Sequence, residues 1–266
     1  MTNIVIAYND APAIRGIYSG SLWVDSLPLE NLSTYDPKQV ARSNALATVN
    51  FLLDFGYSAS IDLVALLYHN ITAAGTARVR VGPNANGSGA LIDQTLDPGD
   101  FGTDYPASLF YLSPETVSAQ YVLWNITDAA NPDGYVQIGR HLACDVFQPE
   151  INMPYGAQLT MVDETRLTRT VNGSQYADLK PKRRILSGAI DLLTEAEAFD
   201  EIYNLQRVKG ITKPIFMIYD PSMTGDALQR TSVYGDLTEL QPIELAQVGA
   251  DGSSLSTWRF DLEERT

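Results

Sequence analysis

The sequence predicts a mainly β protein made of two β-rich modules, the second of which carries one flanking α-helix. Three observations support this prediction. Short aliphatic, β-branched and aromatic runs alternate with turn residues along most of the 266 residues. Residues 61–67 are apolar on both faces of an extended chain, as in a central strand. Residues 195–209 have the helical period and the start and stop signals of a helix.

The first half contains several strand patterns, which we place at residues 4–7, 17–24, 48–55, 61–67 and 76–81. Apolar residues alternate in 48–55, and we expect Gly56 to end that strand. In residues 61–67, Ile61 and Leu63 should face one side while Val64 and Leu66 face the other. Residues 76–81 alternate between apolar residues and two arginines, which is typical of a half-buried partner strand.

Turn signals organise the rest of this half. Residues 82–106 read as a long polar loop rich in glycine and aspartate. Two further strand patterns, 119–126 and 135–142, flank a turn that ends in Asp133-Gly134, and we expect these two strands to pair as a hairpin. Two prolines, Pro149 and Pro154, then bracket a linker. The predicted modules are residues 1–148, whose first strands are free to pair with the second module, and residues 149–266.

The second module begins with strand patterns at 157–163, 165–171, 175–180 and 183–192, and Asn172-Gly173 forms one of the turns between them. Thr194 and Glu197 form a capping box at the start of the helix. We expect an apolar stripe on that helix, and Gly210 should stop it. The stripe comprises Phe199, Ile202, Tyr203, Leu205 and Val208. Residues 213–220, 230–237, 243–246 and 258–262 complete the β-rich module.

Composition excludes several functional classes. The net charge of −14 and the pI near 4.4 oppose binding of a nucleic-acid backbone, which requires clustered Lys and Arg. The single cysteine, Cys144, has no intramolecular disulfide partner, which fits assembly in a cytoplasm. The first residues do not read as a secretory signal, and no run approaches the roughly 20 apolar residues that a membrane span needs. We therefore expect no membrane insertion and no sequence-specific nucleic-acid partner.

Motifs of common enzymes are missing from the sequence, so we predict a protein that is not an enzyme. The two histidines, His69 and His141, read as structural residues. His141 and Cys144 are three residues apart, which places them on opposite faces of a strand and disfavours a Cys-His dyad. A pair of carboxylates for glycoside hydrolysis stays open as an alternative because the chain has 32 acidic residues, but nothing selects a pair.

Three groups of residues are candidates for binding. Exposed aromatic rings can stack on sugars, and the candidates are Tyr105, Tyr111 and Tyr135. Closely spaced carboxylates can hold calcium, and the alternative to a solvated loop is a site made by Asp93, Asp97, Asp100 and Asp104. A basic patch can contact an acidic neighbouring subunit, and this patch comprises Lys180, Lys182, Arg183 and Arg184. We predict no obligatory cofactor.

A family resemblance rests on ordered motifs in the first half: PLENL at 28–32, VARS at 40–43, FLLDFG at 51–56, IDLVALLYHNIT at 61–72, ARVRVG at 77–82 and ANPDGYVQIGRHLAC at 130–144. Together they resemble the galactose-binding-like, discoidin-type jelly-roll domain found in tail proteins of bacteriophages. The resemblance covers residues 20–148. It implies a β-sandwich and leaves host-surface glycan binding open, without ligand residues that can be transferred.

The second half shows KRRILSGAIDLLTEAEAFDEIYNL, then KPIFMIYDP, then WRFDLEE near the end. This order is similar to the tube-like β-sandwich with one flanking helix in tail-tube, distal-tail and baseplate proteins. The resemblance implies a structural virion protein of a tail tip, assembled in the host cytoplasm into a homo-oligomeric ring, a hexamer in preference to a trimer. Its partners would be tube and hub proteins. A carbohydrate-binding module for host attachment is the alternative function.

Overall fold

The computed structural model describes residues 3–46, 48–99, 107–154, 156–248 and 254–266. Its chain is mainly β, as predicted. The described part of the first half contains eleven elements: β1 (Val5–Ala7), α1 (Ala11–Arg15), β2 (Ile17–Ser21), a 3₁₀ helix (Leu29–Ser33), β3 (Ala41–Arg42), β4 (Val49–Leu67), β5 (Thr76–Gly82), β6 (Ile92–Leu96), β7 (Ser108–Thr127), β8 (Gln137–Ile138) and β9 (Arg140–Cys144). The second half begins with β10 (Gln158–Val162).

The remaining elements are β11 (Arg166–Arg169), β12 (Gln175–Asp178), β13 (Arg183–Leu193), a π-helical segment (Glu197–Tyr203) that continues into α2 (Asn204–Lys209), β14 (Ile215–Ile218), α3 (Gly225–Thr231), β15 (Ser232–Leu237), β16 (Ile243–Val248) and β17 (Ser254–Glu264). Among the described residues, no helix combines the length and the hydropathy needed to cross a bilayer.

The first sheet has the order β2-β4-β7-β5-β6. Strand β2 pairs with the first part of β4, and β9 pairs with residues 63–67 at the end of β4. The sheet's long central strands β4 and β7 run antiparallel. One face covers a first core that the small β3–β8 sheet, the 3₁₀ helix and α1 close from the other side, and Phe51, Val79 and Trp124 are fully buried there. The alternation predicted for 76–81 is confirmed, because Ala77, Val79 and Val81 are buried. This half is therefore a β-sandwich.

The prediction for residues 61–67 needs one correction. Both faces are covered, as expected of a central strand, but Ile61 packs in the first core together with Val64 and Leu66, whereas Leu63 faces the opposite side. A register shift between Ile61 and Leu63 is the cause, since a bulge adds one residue and reverses the alternation.

Gly56 does not end a strand, which corrects a second prediction. It lies inside β4 at a φ of +74°, and its N–H donates a hydrogen bond of 2.7 Å to Asp54 Oδ1. The pairing with β7 shifts between Asp54 and Ala59. A glycine that accepts a positive φ lets the strand bulge and then continue, so two predicted strands form one 19-residue strand.

The hairpin predicted around Asp133-Gly134 is wrong. Gly134 has the expected positive φ of +78°, but β9 pairs with β4 and β8 pairs with β3. Residues 121–126 of β7, just before the turn, have no free edge, because β4 pairs with them on one side and β5 on the other. The chain after the turn therefore crosses to the far side of β4.

The long loop predicted for residues 82–106 is also only partly a loop. Strand β6 (Ile92–Leu96) lies within it and pairs antiparallel with β5. Only the two ends of this strand reach the first core, where Ile92 is buried and Leu96 is partly buried. The sequence hid this strand because polar residues Asp93, Gln94 and Thr95 point to solvent.

The second sheet has the order β1-β14-β15-β17-β13-β10, and β16 pairs with β17. The N-terminal strand therefore belongs to the sheet of the second half: Val5 pairs with Ile218 and Ala7 with Phe216. One face of this sheet covers a second core against the helix, in which Trp258 and Phe260 are buried. Helix α3 was not predicted.

The capping box that begins the helix is confirmed. Glu197 N donates to Thr194 Oγ1 at 3.3 Å, and Thr194 N donates to Glu197 Oε2 at 2.9 Å. The predicted stripe is wrong in part. Ile202 and Leu205 are buried, but Phe199, Tyr203 and Val208 are exposed. The buried residues are Ala198, Ile202, Leu205 and Lys209, whose spacing of four, three and four is the ordinary helical stripe, and Phe199 and Tyr203 each follow one position later and so face outward.

The two sheets meet in a middle core. Leu63, Ala65 and Leu67 of β4 and Leu142 and Cys144 of β9 face the first-half side of it. Val5, Phe216, Ile218 and Tyr234 face it from the second sheet. Strands β1, β14 and β15 are thus covered on both faces. The sequence around Phe216 is apolar throughout for this reason, because neither side of that strand meets water.

Candidate functional site

The predicted sugar-binding tyrosines occupy different environments. Tyr111 lies in β7 opposite Val64, and its ring packs against the first core. Tyr135 is partly exposed, and the guanidinium carbon of Arg42 lies 4.0 Å from its ring centroid. Tyr105 lies outside the described residues. Of the two described tyrosines, Tyr135 is therefore the residue whose ring is held at the surface by a charged neighbour.

A network of side chains fixes the loop around Tyr135. Asn70 Nδ2 donates to Asp133 Oδ2 at 2.8 Å and to the Tyr135 carbonyl at 3.0 Å, and Asn70 Oδ1 accepts from Gln137 N at 2.7 Å. Arg42 Nη2 donates to Gln137 Oε1 at 2.6 Å. Sequence reasoning missed Arg42 and Asn70, although the concentration of turn-forming residues at 128–134 was a usable signal.

Below this loop, Asp128 organises a second set of contacts. Its Oδ2 accepts hydrogen bonds from Thr72 N at 2.8 Å and from Asn131 Nδ2 at 2.9 Å, while Oδ1 accepts from Thr72 Oγ1 at 2.8 Å. Asp128 is 1% exposed. The loop is therefore rigidly built, because its buried carboxylate is satisfied by neighbours on two segments.

The proposed calcium ligands do not form one described cluster. Asp93 accepts two hydrogen bonds from Arg78, at 2.7 Å from Nε and 2.6 Å from Nη2, and this pairing lowers its pKa. Asp97 Oδ1 accepts from Gly99 N at 3.0 Å. Asp100 and Asp104 lie outside the described residues. Within the described part of the chain, no group of three or more acidic, His or Cys side chains is placed to hold a metal ion.

Both histidines are buried within the fold. Trp124 Nε1 donates to His141 Nε2 at 3.0 Å, and since an indole can only donate, His141 Nε2 must be unprotonated. His141 Nδ1 then donates to Tyr18 Oη at 3.0 Å. Burial lowers the pKa of His141 to about 3, helped by Arg140. Burial likewise lowers the pKa of His69 to about 4, and His69 Nδ1 accepts from Ile71 N.

His141 and Cys144 face opposite sides of β9, as expected. His141 contacts the aromatic residues of the first core, with Phe51 5.4 Å away between ring centroids. Cys144 lies in the middle core, where burial raises the pKa of its thiol. The two side chains are not arranged as a nucleophile and its base.

A buried ionic cluster joins the two halves, and no sequence pattern predicts it. Asp10 accepts from Arg140 Nη2 at 2.7 Å and from Lys209 Nζ at 2.5 Å, and all three side chains are at most 6% exposed. The ring of Tyr35 is close to both cations: its centroid is 5.6 Å from the guanidinium carbon of Arg140 and 5.3 Å from Lys209 Nζ. Burial lowers the pKa of Lys209, and Asp10 opposes that shift.

The basic patch divides into buried and exposed residues. Arg184 is 3% exposed and pairs with Glu264, so its guanidinium belongs to the interior of the second half. Arg183 is partly exposed and bridges Glu164 at 2.5 Å and Glu263 at 2.8 Å. Lys180 pairs with Asp178 at 3.1 Å, and Lys182 is exposed. Only part of the predicted patch is therefore available to a neighbouring subunit.

The exposed lysines lie on a projecting hairpin, residues 165–182, which we name the arm. Strands β11 and β12 pair with each other and with no other described strand. Every residue of both strands is exposed, including Leu167 at 62% and Tyr176 at 64%, and Leu179 beyond β12 is 78% exposed. Asn172-Gly173 forms the turn as predicted, and Gly173 has a φ of +82°.

The outer side of the helix is a second exposed apolar surface. Phe199 and Tyr203 are four residues apart and are 52% and 56% exposed. Glu195 and Asp200, both exposed, flank them. We name these four residues the helix face. Its apolar residues are those that the sequence reasoning assigned to the buried stripe.

Comparisons with known proteins give weak likenesses only. No family model matches the chain, and no curated protein matches it. Among solved structures, the chain is similar to CBM32-1 from a family 31 glycoside hydrolase of Clostridium perfringens, at 9% identity and a TM-score of 0.39, covering 52% of this chain and 99% of that one.

It is also similar to the lectin domain of lectinolysin complexed with Lewis B antigen, at 15% identity and a TM-score of 0.39, covering 51% of this chain and 96% of that one. A fucolectin from striped bass (Morone saxatilis) serum has 12% identity and a TM-score of 0.40, with 54% of this chain and 49% of that chain covered. The chain thus spans about half of the fucolectin. Likenesses of this size decide neither fold nor ligand.

Proposed function

We propose that this chain is a structural assembly protein, which forms a symmetric ring through its second half and displays the first-half β-sandwich. The observation that carries the proposal is the arm. It is a two-stranded hairpin that exposes Leu167, Val171, Tyr176 and Leu179 to solvent, with no described strand beside it.

An isolated two-stranded hairpin is marginally stable in water, and its free edges and apolar side chains favour pairing with another chain. A neighbouring protein surface that covers the arm would remove both problems. Ring closure gives every copy the same covered arm, and it leaves no arm exposed at an end. We further propose that the ring belongs to a phage tail tip. The support for this role is the resemblance of the second half, a sheet with one flanking helix, to tail-tube and distal-tail proteins.

The test is the oligomeric state of the purified chain. Sedimentation velocity and negative-stain electron microscopy should show one discrete ring, six-fold in preference to three-fold. A chain without residues 165–182, joined by a short glycine linker between Glu164 and Arg183, should stay folded and monomeric. A wild-type chain that is monomeric at tens of micromolar, alone and with tail tube protein, would contradict the proposal.

A second candidate function, glycan binding, is favoured by one observation. Tyr135 is partly exposed, and its ring is fixed by Arg42 at 4.0 Å in a loop held by Asn70. A fixed aromatic ring with polar neighbours is a suitable platform for a sugar ring. The named carbohydrate-binding and lectin domains give this candidate its ligand class, without deciding it.

A glycan array followed by calorimetry tests this candidate. Wild type should bind a subset of bacterial surface sugars, and Tyr135→Ala should weaken that binding about tenfold or more, the loss expected when a stacking ring is removed. Tyr57→Ala is the matched control, because Tyr57 is also an exposed tyrosine but lies in β4. Equal binding by both variants, or no binding at millimolar sugar, would contradict glycan recognition at this loop.

A further inference from the structure

We infer that the arm of one copy docks on the helix face of a neighbouring copy, through one defined side of the arm. This inference rests on the proposed assembly function and identifies the two surfaces that meet. Charge is the first argument. The arm holds four basic side chains and one acidic side chain, a net charge of +3, which leaves −17 for the rest of a chain whose total is −14. A basic projection on an acidic body favours contact between copies.

The register of the arm separates its two sides. Leu167 is opposite Ala177, and Arg169 is opposite Gln175, so these residues share one side with Leu179. We name this the docking side. Arg166 lies opposite Asp178 and Thr168 opposite Tyr176, on the other side. The docking side therefore combines two leucines with Arg169. The residue opposite Arg169 is the neutral Gln175, so no acidic cross-strand partner offsets its charge.

The helix face has the complementary composition. Phe199 and Tyr203 supply exposed apolar rings, and Glu195 and Asp200 supply negative charge beside them. Leu167 and Leu179 can cover the two rings while Arg169 lies against the carboxylates. Docking of this kind would bury the apolar side chains of both surfaces at once.

The positions of the two surfaces favour a contact between copies. The arm begins at one end of β13, where Arg183 pairs with Val162, and the helix begins after the other end of β13, at Leu193. An eleven-residue strand has ten steps between its end residues, which separates these ends by roughly 33 Å at about 3.3 Å per residue. The two surfaces differ, so their contact is head-to-tail, which is the type that closes into a ring.

Cysteine cross-linking tests the contact directly. Two single variants, Leu167→Cys and Phe199→Cys, should form a disulfide-linked dimer when they are mixed and oxidised, and neither should do so alone. Thr168→Cys is the matched control for the arm, because it lies next to Leu167 on the opposite side. The native Cys144 is buried and should not interfere. Cross-linking of Thr168→Cys as efficient as that of Leu167→Cys would overturn the inference.

Charge exchange gives an independent readout. Arg169→Glu should raise the dissociation constant of the assembly about tenfold or more, as expected for a close interfacial charge, and Asp200→Lys should do the same. The double variant should recover assembly. Arg166→Glu, on the other side of the same strand, is the matched control and should assemble like wild type.

The outcomes separate the two proposals. If wild type assembles and neither Arg169→Glu nor Asp200→Lys weakens it, the docking contact is wrong while the assembly function stands. If wild type does not assemble at all, both are wrong. Loss of assembly in Arg169→Glu, retention in Arg166→Glu and rescue by Asp200→Lys support the contact.

Discussion

Two hairpins of this protein carry apolar residues, and they differ in whether their own chain covers those residues. The β5–β6 hairpin buries Ala77, Val79 and Val81 in the first core, and β5 pairs with β7 on the side opposite β4. The β11–β12 hairpin of the arm is likewise an antiparallel pair of strands, but no described strand or core lies beside it. Strand pairing alone therefore does not decide burial. A hairpin that carries apolar residues needs a covering surface, and the second hairpin lacks one within its own chain.

The largest expected effect is the difference in stability loss between the two hairpins when each receives a carboxylate. Val79→Asp should destabilise the fold by about 4 kcal/mol or more, because a carboxylate would be buried without a partner. Leu167→Asp should change the free energy of unfolding of the monomer by no more than about 0.5 kcal/mol, since its side chain already meets water. Urea unfolding of both variants measures the difference. Equal losses would show that the arm packs on its own chain.

The buried ionic cluster extends the comparison to charged residues. Asp10→Ala should cost about 3–5 kcal/mol, because it leaves Arg140 and Lys209 buried without their counter-charge. The exposed pair Arg78–Asp93 is the control, and Arg78→Ala should leave the thermal midpoint unchanged. A small effect of Asp10→Ala would mean that water reaches the cluster.

Protonation of the two buried histidines should make the stability of the fold depend on pH. The pKa of His141 is lowered to about 3 and that of His69 to about 4, both below the unfolded value near 6.5. The unfolded chain therefore binds these protons first. The stability that the neutral histidines contribute is complete above pH 6.5 and is lost as the pH falls from 6.5 towards 4 and then 3, by up to about 1.4 kcal/mol per pH unit for each histidine.

Proton NMR of the two histidine rings measures this effect without a substitution. Neither ring of the folded chain should titrate between pH 8 and pH 5. A titration near pH 6.5 would show that the ring in question is exposed to water. For His141, that result would contradict the hydrogen bond from Trp124.

The smallest expected effect concerns the start of the helix. Thr194→Ala removes the hydroxyl that accepts from Glu197 N, and it should cost about 1 kcal/mol. Thr212→Ala is a matched control at an exposed position outside the helix, and it should be close to neutral. Denaturant midpoints of the two variants give the comparison. A neutral Thr194→Ala would show that tertiary packing alone fixes the first turn.

Local patterns predicted much of this fold. Alternation located β5, β10 and β13, and the four apolar residues of β14 marked a strand covered on both faces. The capping box located the helix start. Pairing was less predictable, since alternation is the same whichever neighbour a strand joins. That is why the turn at Gly134 was predicted correctly while the hairpin around it was wrong.

The candidate binding sites were predicted less well than the fold. Tyr135 was identified because exposed aromatic residues near turns are visible in a sequence, but its partner Arg42 is 93 positions earlier in the chain. The basic patch was visible as a run of charges. Its division into a buried Arg184 and an exposed Lys182 was not visible, because that depends on Glu264, which lies 80 positions away.

By itself, the sequence determined what depends on neighbours within a few residues: the mainly β composition, most strand positions, the helix start and the turn at Asn172-Gly173. The tertiary structure decided which strands pair, which helix residues are buried and where Asp10, Arg140 and Lys209 meet. The physical reason is that these outcomes depend on surfaces brought together from distant parts of the chain. The same holds for the arm, whose exposure appears only once the rest of the chain has been packed.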